Sequence, residues 1–235
     1  MMNIWSISEV KEDAKRILRQ SYVDGNGKSH LFYWYNFLFS AIMIVATAIL
    51  SSVLTALIPG GAPIAITIFF VNPLMVAFCL YTLWQRNGII RIKDALLSPT
   101  ENENYLCLVA GMGMMTLFIF LWSLLLIIPG IIKTYAYRMV PFLLAENPQL
   151  GWKRALDLSQ QMTAGEKGSL FFLDLSFIGW MLLCAITGGI GIFFLTPYYQ
   201  TTQGEVYLRL REKLVCAGMM DEDELHRKSA FIELN

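Results

Sequence analysis

Six long apolar runs constrain this chain more than anything else in it. They lie at residues 31–58, 64–84, 105–128, 131–146, 170–187 and 190–208. A helix needs ~20 apolar residues to cover ~30 Å of hydrocarbon, and most of these runs meet or approach that length. One soluble core has no room for so many continuous apolar helices. The composition agrees: of 235 residues, 56% are hydrophobic and 15% charged, against about 25% charged in an ordinary soluble domain. Mean hydropathy is +0.52. The formal net charge is zero, so no overall field favours nucleic acid as a partner.

The basic residues sit where they can orient such a chain. Residues 1–30 hold five Lys and Arg, the connection 85–104 three, and the connection 147–169 three. The last run is followed at once by Arg209, Arg211 and Lys213. The turns at 59–63, 129–130 and 188–189 hold none. Cytoplasmic loops carry the excess of Lys and Arg. Basic connections alternate with uncharged turns only if the stretch 131–146 crosses the bilayer. The expected fold is therefore all-α: a polytopic membrane bundle of six transmembrane helices in three hairpins, with both termini cytoplasmic. An N-terminal segment, residues 1–30, precedes the membrane domain, 31–208, and a polar cytoplasmic tail, 209–235, follows it. No cleavable signal peptide is expected, because the start is polar.

Two short amphipathic helices are expected at the cytoplasmic face. In the first, Ser6 and Glu9 have capping-box spacing, and Val10, Ala14, Ile17 and Leu18 form one stripe. Lys11, Lys15, Arg16 and Arg19 flank that stripe, which suits a membrane surface with anionic lipid headgroups; a plain solvated helix is the alternative. Asp24–Gly27 then ends the helix. The second follows Asn147-Pro148, which reads as an N-cap with proline at the first helical position. There Trp152, Ala155, Leu156, Ser159 and Met162 share a face, and the helix ends near Gly165.

The fourth run is short and charged. Sixteen residues cover ~24 Å. Lys133 lies near one end, within snorkelling reach of the interface. Arg138 lies about halfway, and a charge there is costly unless satisfied. Asp174 of the fifth run lies at similar depth from the cytoplasmic side, ~9 against ~12 Å at helical rise. The two are expected to meet, joined by Gln203 and Glu205 of the sixth run, with Tyr198, Tyr199 and Gln200 deeper. This inner-leaflet cluster reads either as a charge pair that fixes helix packing or as an ion or substrate site. The packing role is favoured.

Pro73, Pro141 and Pro197 are candidate helix breaks. GGAPIAITIFFVNP and GGIGIFFLTP share GG and FF-x-x-P, a weak internal repeat of the kind some transporters show. Soluble-type catalysis has no support. The chain has no Gly-rich phosphate loop, no G-x-S-x-G and no H-E-x-x-H. The four cysteines are scattered singly, and His30 and His226 are far apart, so no metal or cofactor is expected. The acidic run Asp221–Glu224 reads as solvated, or as a cap for a short helix.

The stretch IPGIIKTYAYRMVPFLLAENPQLGWKRALDLSQQMTAGEKGSLFFLDLSFIGWMLL, followed by GGIGIFFLTPYYQ, resembles the DUF975 family of bacterial integral membrane proteins. The likeness rests on I-P-G-I with its following Lys, Tyr-x-Tyr, Met-Val-Pro, E-N-P, A-L-x-L-S and D-L-S-F-I-G-W. It covers roughly residues 125–210. A more distant likeness runs to membrane domains attached to glycerophosphodiester phosphodiesterases. The resemblance implies a bacterial cell membrane and no established activity. The expected function is that of a multi-pass, non-enzymatic protein that organises or regulates membrane components. The alternative is a small transporter or channel using the polar cluster.

Overall fold

The computed structural model describes residues 5–19, 21–23, 29–57, 71–86, 102–221 and 224–225. The expected turn at 59–63, residues 64–70 of the second run and most of the basic connection 85–104 lie outside the described residues. Helix α1 spans Ile7–Arg19, a ribbon pairs β1 (Ser21–Val23) with β2 (Ser29–Leu31), and α2 spans Phe32–Leu57. Next come α3 (Asn72–Arg86), α4 (Asn102–Leu125), α5 (Ile127–Ala136) and α6 (Val140–Glu146). A 3₁₀ turn at Pro148–Leu150 leads into α7 (Trp152–Met162), α8 (Lys167–Ile186) and α9 (Ile190–Cys216). Among the described residues the secondary structure is helical but for the short antiparallel ribbon, in which Tyr22 opposes His30.

Helix α1 opens with the capping box its sequence carries. The Glu9 amide donates to Ser6 Oγ at 3.2 Å, and the Ser6 amide donates to Glu9 Oε2 at 3.3 Å. Val10, Ala14, Ile17 and Leu18 are all buried. Their cover corrects the expectation of a surface helix. The stripe packs lengthwise on α9, where Arg209 bonds Glu9 and Asp13. Farther along, Lys11 sits over the Phe177 ring of α8 and Lys15 over Tyr198 of α9. Protein side chains supply the apolar contact that a lipid surface was expected to give.

Two hairpins form the apolar side of the molecule. The turn between α4 and α5 falls at Leu126, whose backbone is extended, and not at Pro129-Gly130 as expected. Pro129 fits inside α5 because the first turn of a helix has no use for its amide donors. Gly130 lets the two helices touch: a Cβ there would come within 2.8 Å of the Ser123 Cα. The second hairpin turns at Gly188 and Gly189, as expected. Their φ values of 65° and 89° suit glycine. Pro197 does not break α9, which runs unbroken from Ile190 to Cys216. The Thr201 hydroxyl donates to the Pro197 carbonyl, and Phe177 packs against Tyr198. Packing against α8 outweighs the lost amide. Pro73 is the second residue of α3.

The fourth run is interrupted. Residues 137–139 form a turn between α5 and α6. Pro141 has no amide hydrogen to give the Tyr137 carbonyl, so the helix restarts rather than continuing. Every residue of α6 from Val140 to Ala145 is buried. Around α6 lies the core: Val76, Cys79 and Leu83 of α3, Leu108 and Met112 of α4, Leu156 and Leu158 of α7, and Val206, Tyr207 and Leu210 of α9. Each fully buried Leu or Phe stabilises by about 1.5–3 kcal/mol relative to exposure in water. A smaller cluster, Phe39, Phe78, Tyr81 and Trp84, joins α2 to α3.

Away from this core the surface is apolar. Leu124, Ile127, Ile128 and Ile186 are more than 70% exposed. Among the described residues two helices are long and apolar enough to cross a membrane, Tyr105–Leu125 in α4 and Lys167–Ile186 in α8. Helix α1 packs on α9, and α9 continues past residue 208 to Cys216. The start of α2 lies by the first turns of α9, with the Phe37 and Phe194 rings 4.9 Å apart.

Candidate functional site

The interruption at residues 137–139 makes the site. A side chain of α7 and its C-cap residue brace it. Ser159 Oγ donates to the Ala136 carbonyl at 2.8 Å and accepts from the Met139 amide at 3.2 Å. Thr163 Oγ1 reaches the same carbonyl at 3.3 Å. Ser159 and Thr163 are both fully buried. Together they satisfy a donor and an acceptor that the broken helix leaves over. The amphipathic α7 is the support of the break.

The break frees Arg138 from the helix surface and aims it at α8. Its Nη1 donates to Asp174 Oδ2 and its Nη2 to Asp174 Oδ1, both at 2.7 Å. This is the fork-on-fork geometry that makes Arg–carboxylate pairs strong. Two tyrosines complete the shell. Tyr135, one turn earlier on α5, donates to Asp174 Oδ2 at 2.9 Å. Tyr199 of α9 accepts from Arg138 Nη2 at 2.5 Å and donates to Asp174 Oδ1 at 3.1 Å. Four donors thus converge on one carboxylate. The network ties α5, the break, α8 and α9 together. It is not sealed: the Arg138 and Asp174 side chains are 16% and 26% exposed. They line a cavity of about 420 Å³ with Ile131, Thr134, Tyr135 and Tyr199.

Of the expected cluster, the structure joins Arg138 and Asp174 and leaves out Gln203 and Glu205. None of the hydrogen bonds around Arg138 and Asp174 reaches either one. Both are buried farther along α9, and the Gln203 amide has no hydrogen-bond partner among the described residues. Between them Gly204 lies against Thr82 of α3, and Gln203 sits one helical turn beyond Tyr199. Lys133 does not snorkel away. It donates to Gln160 Oε1 of α7 at 3.0 Å and lies over the Trp122 and Tyr137 rings.

Three features escaped the sequence reading. Tyr135 was within reach of it, because residues three apart share a helix face. The second is a separate network in which Glu146, ending α6, accepts from Tyr207 and from Arg211, each at 2.6 Å. The third is the folded start of the tail. Glu224 pairs with Arg154 of α7 at 2.8 Å, and its carbonyl accepts from Asn147. Met220 and Leu225 are buried. The acidic run is thus tied down at Glu224 rather than left in solvent.

Among the described residues no group of three or more His, Cys, Asp or Glu could hold a metal ion. The fold and site define an α-helical protein with two exposed apolar hairpins, fastened at a broken helix by a half-buried charge pair. The model of a family described as "Protein of unknown function (DUF975)" matches residues 111–214, the stretch that builds the site. No curated protein and no solved structure matches the chain.

Proposed function

We propose that the chain is an integral protein of the bacterial cell membrane that works without covalent chemistry, organising or regulating components around it. The observation that carries this reading is the saturation of Asp174. With a bidentate guanidinium and two phenols already donating to it, the carboxylate has little capacity left to bind an ion. Its geometry suits a fastener between apolar hairpins better than a transport site. The exposed apolar surfaces of α4, α5 and α8 support a bilayer setting, since patches of that kind are rare on soluble monomers.

In this reading the α4–α5 and α8–α9 hairpins enter the hydrocarbon. The basic end of α9 and both termini face the cytoplasm. The six-span arrangement remains the proposed topology for the hairpins. Helix α1 and the start of α2 run beside α9 rather than beyond its basic end. A second reading, a small transporter or channel, is favoured by one observation: the charge pair borders an open cavity. Reconstitution separates the two. Purified protein in liposomes is assayed for proton and ion flux, with Arg138→Gln and Asp174→Asn alongside. The fastener reading expects no flux and loss of stability in both variants. Flux that disappears in well-folded variants would establish transport instead.

A further inference from the structure

A second groove lies away from the charge pair, where α1 runs along the second hairpin. Its volume is about 580 Å³, within the ~300–1,000 Å³ range typical of ligand pockets. One wall is apolar: Trp180, Leu183 and Cys184 of α8, with Phe194 and Leu195 of α9. The other wall is α1, which presents Leu18 between Lys15 and Arg19. Lys15 and Arg19 are four residues apart and so share one helix face. Neither makes an ion pair among the described residues, whereas Glu9 and Asp13 of the same helix are taken up by Arg209. One turn earlier, burial and then repulsion from Lys15 pull the Lys11 ammonium below its ordinary range. Two cations without a salt bridge beside an apolar groove, though Glu12 and Asp13 line the adjoining face of α1 with them, suit an anion carrying a hydrocarbon chain.

We propose that this groove is a binding site for one anionic phospholipid, its acyl chain along Trp180, Leu183 and Phe194 and its phosphate held by Lys15 and Arg19. The site deepens the membrane-organising reading and rests on it. A lipid held there would bridge α1 to the α8–α9 hairpin and couple the N-terminal helix to the anionic content of the surrounding bilayer.

The test uses the full chain in mild non-ionic detergent. Phosphatidylglycerol with brominated acyl chains is titrated in, and tryptophan fluorescence is followed. Phosphatidylcholine with the same chains is the comparison, and inorganic phosphate is the competitor. Quenching by the anionic lipid is expected at a tenfold lower concentration or better, since each basic residue near the phosphate contributes. The quenched component should disappear in Trp180→Phe. The preference should vanish in the double variant Lys15→Gln/Arg19→Gln and persist in Arg16→Gln, a charge removed outside the groove. The exposed substitutions are checked for fold by circular dichroism. Equal quenching by both lipids, a preference that survives the double variant, or quenching unchanged in Trp180→Phe would each overturn the site. Displacement by millimolar inorganic phosphate would mark a free-anion site and overturn it too. If instead the chain stays in solution without detergent, it is the membrane reading that has failed.

Discussion

Arg138 and Asp174 show how one residue's meaning depends on its shell. A lone guanidinium at that depth is a cost. Paired face to face, with Tyr135 and Tyr199 closing the carboxylate, it becomes a clamp. Removing one partner of a buried pair typically costs about 3–5 kcal/mol, because the other charge is left uncompensated. Partial exposure trims that figure here. Arg138→Gln and Asp174→Asn should each lower the melting temperature in detergent, and the double variant should lose less than the sum of the two. Strict additivity in that cycle would mean the pair contributes no coupling. Ser159 carries a different duty, since its hydroxyl serves both sides of the break. Ser159→Ala should cost about 1–3 kcal/mol, the penalty for stranding buried backbone groups. Amide hydrogen exchange at residues 137–139 should quicken. Protection left intact would show that Thr163 alone holds the turn.

At the scale of elements, the two hairpins are built differently. The α8–α9 turn depends on two glycines at positive φ. The α4–α5 turn depends on contact, with Gly130 pressed against Ser123. Gly130→Ala drives a methyl group into backbone, which cannot yield cheaply, and overpacking of this kind costs about 1–3 kcal/mol. Gly179 in α8 has nothing within 4 Å of its would-be Cβ. Gly179→Ala should therefore be neutral or stabilising, by up to about 1 kcal/mol of helix propensity. Thermal melts of the two variants should fall on opposite sides of the parent protein. A pair of equal shifts would mean the close contact is not what joins α4 to α5. Helix α7 teaches the same lesson about context. Its buried stripe was legible from spacing, and Ala155, Leu156, Ser159 and Met162 are buried as read. What the stripe packs against was not.

The whole molecule has a packed end and an apolar end. Residues of α3, α4, α6, α7 and α9 share one core, and the hairpin tips project from it with their leucines and isoleucines bare. The proposed orientation places the far end of α9 in the cytoplasm. Cys216 is the exposed cysteine there, while Cys79 and Cys184 are buried. An impermeant maleimide added to intact cells should leave Cys216 unlabelled and should label it in inverted vesicles. Labelling from outside would reverse the topology.

The sequence alone determined what is local or periodic: the capping box of α1, the buried stripes of α1 and α7, the glycine turn before α9, and two charges near one depth on neighbouring apolar runs. These follow from helix geometry and from the cost of an unpaired charge, which need no knowledge of neighbours. The tertiary structure decided the rest. It interrupted the fourth run at Arg138, carried α9 through Pro197, laid α1 along α9, and left Gln203 out of the hydrogen bonds around the pair it was expected to join. Each of these outcomes weighs a local preference against packing with a partner distant in sequence. A proline's missing amide or an amphipathic stripe has several acceptable solutions in isolation, and the neighbouring helices select one.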